Sequence, residues 1–411
     1  MLLLLLACTA PDEIEPTKPG RPSTTPGTEV ELARWTFLVY MDGDNDLELY
    51  VPTDLDEIEQ AGSGDGVNVI VQADRIPGYA TGDGDWTGTR RYYMEHHPER
   101  GVQTPVLEEL GELDMGDPDT LSDFLMWAAE NYPAERYALV LWDHGDIWSM
   151  APTDAVTEGA DEVAPPSIAS DDTSGSVISI AQGELGDALT PFVDQEGPIE
   201  VLAFDACLMA SWEVAHSLQP YVNWMSASET YVGAEGVSYP EAITLIREDE
   251  AATGQELAAD LTIRAVEQGL EDTWAAYDMD RVPALSEALD RYAAAVLADP
   301  GLFERVVAAR DATGSMDPNY PNTYLDLGGF VGRSTAIPGL ETAGAEVESA
   351  MAEALSTWRT EERWSWATGY TVFAELNAQA LTVYTSGAGT SWARDTRWDE
   401  MLTAMFEAGH Q

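Results

Sequence analysis

Large apolar residues are scarce over residues 9–33, where Pro, Thr, Gly and Glu dominate, and they arrive abruptly at Trp35. A stretch so poor in apolar side chains cannot bury enough surface to fold, so 9–34 is expected to be a disordered tether. Beyond it the chain alternates two periodicities. Trp35–Met41 and Val67–Ala73 are short, nearly continuous apolar runs ending in acidic or glycine-rich turns, the pattern of buried parallel strands. Arg90–Met94 predicts a third strand, at an edge or in a hairpin. Leu121, Phe124, Leu125, Ala128 and Ala129 recur at helical spacing, with Asp119 or Thr120 as the expected cap. Tyr137–Trp142 and Glu200–Phe204 predict further strands, and Gln182–Phe192 and Leu208–Leu218 predict helices. This rhythm argues for an α/β sandwich around a mostly parallel sheet, occupying 35–252.

Residues 146–176 are acidic, rich in Ala, Pro, Ser and Thr, and without periodicity, which predicts a long surface loop. After residue 252 the pattern becomes alanine-rich and amphipathic, predicting helices over 254–269, 283–298, 302–313 and 341–357. Two β-like runs follow, Tyr370–Ala374 and Leu381–Tyr384. Residues 253–411 are therefore expected to form a mostly helical C-terminal subdomain packed on the core.

Composition alters this picture chiefly through charge. The 411 residues carry 74 Asp and Glu against 19 Lys and Arg, a formal net charge of -55, and the one lysine is Lys18. Such a surface repels nucleic acid and anionic lipid headgroups. It suits a protein kept soluble in high salt, or equally a plain compositional bias with a well-solvated acidic surface. The two cysteines, Cys8 and Cys207, do not make a disulfide framework. Cys8 closes the run Leu2–Ala7, and an apolar stretch, a small residue and Cys resemble the lipobox of bacterial lipoproteins. Residues 1–8 then act as a signal and Cys8 carries the lipid. The run is too short to span a bilayer, so the membrane is a partner through that lipid only. The absence of a basic residue before the run and its shortness depart from a usual signal.

Two segments put reactive side chains just past an apolar strand: Tyr137–Trp142 leads to Asp143-His144-Gly145, and Val201–Phe204 leads to Asp205-Ala206-Cys207. Catalytic groups gather at the carboxyl ends of parallel strands. If these strands are neighbours, a right-handed crossover brings His144 beside Cys207. A helix starting at Leu208 would then aim its N-terminus at the thiol and favour thiolate. Thiolate attack on a carbonyl, with an imidazole handling the protons, needs such a pair. The N–H groups of Gly145 and Cys207 are expected to serve as oxyanion donors. From their positions alone, packing and catalysis are equally good readings of these residues.

Trp142-Asp143-His144-Gly145 and Asp205-Ala206-Cys207-Leu208-Met209, followed by Glu213-Val214, resemble the two signature segments of the clostripain-like cysteine peptidases, in the wider caspase–legumain–gingipain group. Leu38–Glu48, Ala227-Ser228-Glu229 and Tyr324–Leu327 resemble further family segments, in the family's order. The resemblance implies a caspase-like α/β/α sandwich and thiol-mediated endopeptidase activity on a protein or peptide substrate. It also implies cleavage after basic residues, with Asp205 at the floor of the specificity pocket. Glu229 and Glu235 are weaker candidates for its rim, against which stands the reading of each as a solvated acid. No cofactor is needed for the chemistry. Some members of the family require calcium, so a calcium ion is an open expectation. Asp42, Asp44 and Asp46 do not form an EF-hand, since Leu47 and Thr53 stand where that loop needs Gly and Glu. The expected location is the bacterial cell envelope, as an exported lipoprotein on its periplasmic or cell-surface side.

Two departures stand out. Asp146-Ile147 precede Trp148, where the family has a glycine-rich turn. Maturation by a cut after a basic residue between the His and Cys segments has no site here, because Gly145–Ala206 contains no Lys or Arg. Either the enzyme works as one chain or its specificity is not basic. An inactive scaffold or binding lipoprotein on the same fold is the competing reading. His96-His97 are expected at the surface, and Trp148, Trp212 and Trp224 in packing.

Overall fold

The computed structural model describes residues 32–146, 167–234, 236–317, 323–386 and 390–409. Cys8, most of the expected tether, Ile147, Trp148 and Glu235 lie outside the described residues.

The main sheet is built from β1 (Ala33–Met41), β2 (Val67–Ala73), β3 (Thr89–Tyr93), β4 (Glu108–Gly111), β5 (Ala134–Trp142), β6 (Ile199–Asp205), β7 (Val222–Ala227), β8 (Thr273–Asp278) and β9 (Leu355–Thr360). Their order is β9-β8-β7-β6-β5-β1-β2-β3-β4. The five central strands, β7-β6-β5-β1-β2, run parallel, and antiparallel pairs finish both edges. The chain leaves β1 for β2 on one side and returns to β5 on the other. Crossovers therefore diverge between β1 and β5, which opens a crevice at the carboxyl ends of these strands.

Helices cover both faces: α1 (Val51–Ala61), α2 (Pro118–Asn131), α3 (Glu184–Glu196), α4 (Trp212–Leu218), α5 (Tyr239–Glu248) and α6 (Gly254–Glu267). The alternation along β1 assigns the faces. Trp35, Phe37, Val39 and Met41 pack with apolar residues of α1, α5 and α6, while Leu38 and Tyr40 point to the core built by α2, α3 and α4. With both faces buried, the strands need no polar positions, which explains their continuous apolar runs.

Residues beyond 252 contribute more than helices. Val282–Ala298, Leu327–Ser334, Glu341–Ala354 and Trp398–Gly409 join the core on the α2–α4 side, but β8 and β9 extend the main sheet itself. Residue 252 thus marks a change of composition within a continuous sheet.

Four local expectations are corrected. Asp117 caps α2, accepting from the N–H of Asp119, because Pro118 supplies the first helical residue. Leu381–Tyr384 lies in a helix, Ala378–Ser386, whose buried Leu381 and Tyr384 are three apart on one face. The loop expected over 146–176 includes a strand, Ser167–Asp171, which pairs antiparallel with Gly145–Asp146 and with Ser176–Ser179. No helix begins at Leu208. That residue is left-handed, with φ 64°, and the chain runs on beside Ser228–Thr230, Leu208 and Ala210 donating their N–H groups to the carbonyls of Thr230 and Ser228. Helix α4 starts at Trp212 behind its Ser211 cap. Its N-terminus is therefore not beside the thiol.

Among the described residues no helix is long and apolar enough to cross a membrane.

Candidate active site

The register of β5 and β6 pairs Trp142 with Asp205, and the N–H of Asp143 donates to the carbonyl of Asp205 at 3.3 Å. His144 and Cys207 therefore each stand two residues past the last aligned pair, at the same end of adjacent parallel strands. Both line a cleft of about 650 Å³, with Gly145, Asp205, Leu208, Tyr231 to Ala234, Gly236 and Asp317.

Gly145 is held where no side chain fits. A Cβ there would lie 2.4 Å from the carbonyl oxygen of Cys207 and 2.9 Å from its nitrogen. The two backbones can approach this closely only at glycine. The thiol lies against the segment that follows β7. Val232 donates its N–H to Sγ at 3.3 Å, and its carbonyl stands 3.8 Å from Sγ. A backbone N–H aimed at sulfur favours thiolate, supplying locally part of what the helix terminus does not.

His144 is held from the turn after β1. Its Nε2 lies 2.7 Å from Oδ1 of Asp46, both side chains being substantially exposed at 47% and 67%. That turn is fixed in turn by Asn45, whose Nδ2 donates to Oδ1 of Asp143 at 2.7 Å and to the carbonyl of Ser170 at 2.9 Å. The N–H of Ser170 donates to the other oxygen of Asp143. Asp143 is buried, and burial raises its pKa against the opposing pull of His144. Sequence reasoning missed Asp46. Its signal was the Asp42/Asp44/Asp46 alternation, which reads as a failed calcium loop until the strand ends are seen side by side.

Asp205 forms the cleft floor. It is 5% exposed and accepts from the Tyr239 hydroxyl at 2.8 Å. Burial pushes its carboxyl up to about 6 against the hydrogen bonds of Tyr239 and Val237. Gly236, with φ 53°, lies directly over it, since a Cβ there would come within 2.4 Å of Oδ1. Glu229 is neither a rim residue nor a solvated acid. It is buried, accepts the N–H of Gly369 at 3.0 Å, and is not among the residues lining the cleft. Burial and the nearby Asp326 raise its pKa strongly, against the opposing hydrogen bond from the N–H of Gly369. Glu235 lies outside the described residues, as does Cys8.

Beside the cleft, carboxylates accumulate behind the β1 turn. Asp44, Glu112 and Asp171 each bring an oxygen within 4.8 Å of the others. Oδ2 of Asp42 and Oδ1 of Asp74, both fully buried, have no hydrogen-bond partner among the described residues. Burial holds Asp74 up to about 8.

The model of the clostripain family matches residues 39–336. Clostripain of Hathewaya histolytica is 28% identical over 260 residues, 57% of this chain; the match spans 46% of that relative, so this chain covers about half its length. An inactive zymogen C11 protease from Parabacteroides distasonis superposes with a TM-score of 0.62 at 18% identity, over 91% of this chain and 99% of that one. A secreted C11 cysteine protease from Bacteroides thetaiotaomicron, in complex with an irreversible peptide inhibitor, gives 0.64 at 19% identity, over 89% and 99%. At these identities the structural likeness establishes the α/β/α sandwich.

Proposed function

Since the chain belongs to the clostripain family, we propose that it is a cysteine endopeptidase with Cys207 as nucleophile and His144 as its base. One observation carries the reading: His144, Gly145, Asp205 and Cys207 line a single cleft at the carboxyl ends of adjacent parallel strands. His144 takes the thiol proton, and Sγ attacks the carbonyl carbon of the scissile bond. The N–H groups of Cys207 and Gly145 hold the oxyanion. His144 returns the proton to the leaving amine, and water then hydrolyses the thioester.

Asp205 is the specificity acid. A buried carboxylate whose hydrogen bonds come only from neutral groups, the Tyr239 hydroxyl and the Val237 backbone, is ready for a guanidinium, which would add charge-assisted hydrogen bonds and draw it fully into the ionised form. The substrate is therefore a protein or peptide cut after Arg. An irreversible probe with a terminal arginine should label the wild type and not Cys207→Ala. Absence of labelling by any peptidyl electrophile, with or without calcium, would sink the reading. A positional peptide library decides the pocket: arginine cleavage indifferent to Asp205→Ala would remove Asp205 from it.

Calcium plays no part in the chemistry and has, among the described residues, a seat that suits it, formed by Asp44, Glu112 and Asp171. These are hard oxygen donors, as calcium prefers, and none has a basic partner among the described residues. Burial and repulsion by Asp44 raise the pKa of Glu112, and the two orphaned buried oxygens of Asp42 and Asp74 lie within the same field. A cation there would neutralise the cluster and steady the turn that carries Asp46. Calcium should raise Tm in the wild type and not in Asp171→Asn; equal responses would exclude this seat.

Cys8 carries a lipid that anchors the enzyme outside a bacterial membrane; the secreted Bacteroides thetaiotaomicron relative supports an exported setting. Detergent partitioning lost in Cys8→Ser is the expected result, and unchanged partitioning argues against the anchor.

A further inference from the structure

The thiol of Cys207 rests on a strap that follows β7, described at residues 231–234 and 236. Val232 contacts Sγ, and Gly236 lies on the Asp205 carboxylate. Between them Gly233 donates its N–H to both oxygens of Glu271, at 3.0 and 2.9 Å. Glu271 stands at the corner between α6 and β8, where its own N–H and that of Leu270 both donate to the carbonyl of Ala265. It is 4% exposed, far from the surface role common for an acid in so acidic a chain. We propose that Glu271 is a positioning residue of the peptidase site, the peg that sets the strap and so aims the Val232 N–H at the catalytic sulfur.

The inference rests on the peptidase reading and adds a residue that touches neither substrate nor sulfur. The geometry gives it no alternative employment: both carboxylate oxygens converge on the one N–H, and the Gly236 backbone approaches them from the other end of the strap. Burial holds its carboxyl up to about 8, with Asp205 opposing ionisation from across the strap. Strap, specificity acid and peg are therefore electrostatically one unit. A cationic side chain entering beside Asp205 favours the ionised form of Glu271 too, and tightens its grip on Gly233.

The readout is alkylation of Cys207 by iodoacetamide against pH, which needs no peptide hydrolysis. The titratable groups lining the site, besides Cys207 itself, are Asp143 and His144 after β5, Asp205 on β6, Tyr50, Tyr231 and Asp317, with Glu271 behind the strap; only the last is changed. Removing the N–H aimed at sulfur disfavours thiolate, so the alkylation limb should move to higher pH. In Glu271→Ala we expect a shift of about one pH unit and about tenfold slower labelling at neutral pH, as for loss of one hydrogen bond to a charged group. Glu271→Gln keeps an accepting oxygen and should restore most of the rate. Asp272→Asn, which removes the neighbouring charge without touching the strap, should behave as wild type. An unmoved limb in folded Glu271→Ala overturns the proposal. If that variant does not fold, Glu271→Asp, one methylene too short to reach Gly233, takes its place, and an unmoved limb there overturns it equally. A moved limb in a protein that cuts no peptide would sustain the peg while ending the peptidase reading.

Discussion

Asp205 and Asp46 are both carboxylates of the site, and their surroundings give them unequal weight. Asp205 is buried, with its pKa pushed up to about 6. Below that pH it is mostly neutral and offers a guanidinium little, so KM for an arginyl substrate should fall as pH rises through about 6. Steady-state kinetics on Arg and Leu peptides should show the drop for Arg alone. Asp205→Asn should cut arginine preference by about 100-fold, the scale of a buried charge-assisted pair. Asp46 faces His144 at 2.7 Å, but both are well exposed, and water and salt screen such pairs. Asp46→Ala should therefore lower kcat/KM only about two- to fivefold, an effect that shrinks in high salt; a loss as large as that of Cys207→Ala would mean the pair is catalytically obligatory. These unequal roles were only half legible in the sequence. Asp205 announces itself by standing two residues before the nucleophile, whereas Asp46 lies 98 positions from His144 and meets it only through the β1–β5 pairing.

Strand ends set the distances that catalysis uses. Gly145 and Cys207 approach so closely that a methyl group at 145 meets backbone, which cannot swing aside as a side chain would. Gly145→Ala should lose activity at least about 100-fold, the scale of a lost oxyanion donor, and probe labelling should fall with it. Retained labelling would show that the strand ends can part. The path from Cys207 to α4 is a second element-scale constraint. Ser211 accepts the N–H of Val214 at 3.1 Å, and Ser211→Ala should cost about 1 kcal/mol in denaturant unfolding. The core strands were legible because both faces of the sheet are buried, so Val67–Ala73 is apolar nearly throughout. The helix expected at Leu208 was not, because apolar spacing in 208–218 is compatible with a helix from either end. What decides is the pairing of 208–210 with Ser228–Thr230, a contact between distant segments. Likewise, Ser167–Asp171 is too short and polar to announce itself, and becomes a strand only because Gly145–Asp146 and Ser176–Ser179 offer it edges.

At the scale of the molecule, buried acid and net charge act in the same direction. Burial holds Asp74 and Glu271 up to about 8, Glu213 to about 7 and Asp205 to about 6. Each folded pKa lies above its unfolded value, so the folded state binds protons more tightly. Their contribution is complete below about pH 4 and is lost as pH rises through 6 to 8. Tm should accordingly be higher near pH 5 than at pH 8, and salt should recover part of the difference by screening a net charge of -55. Calorimetry in both buffers tests this, and a Tm that rises from pH 5 to 8 would contradict it. The basic residues are as telling in their placement as in their scarcity. From Tyr137 to Ile246 there is neither Lys nor Arg, and this stretch carries most of β5, all of β6 and β7, and His144, Asp205 and Cys207. If cleavage is after arginine, as proposed, this stretch contains nothing that one copy could cut in another. Crowded together, even partly unfolded, such molecules would then leave this stretch of one another whole, and trypsin releases residues 137–247 as a single fragment.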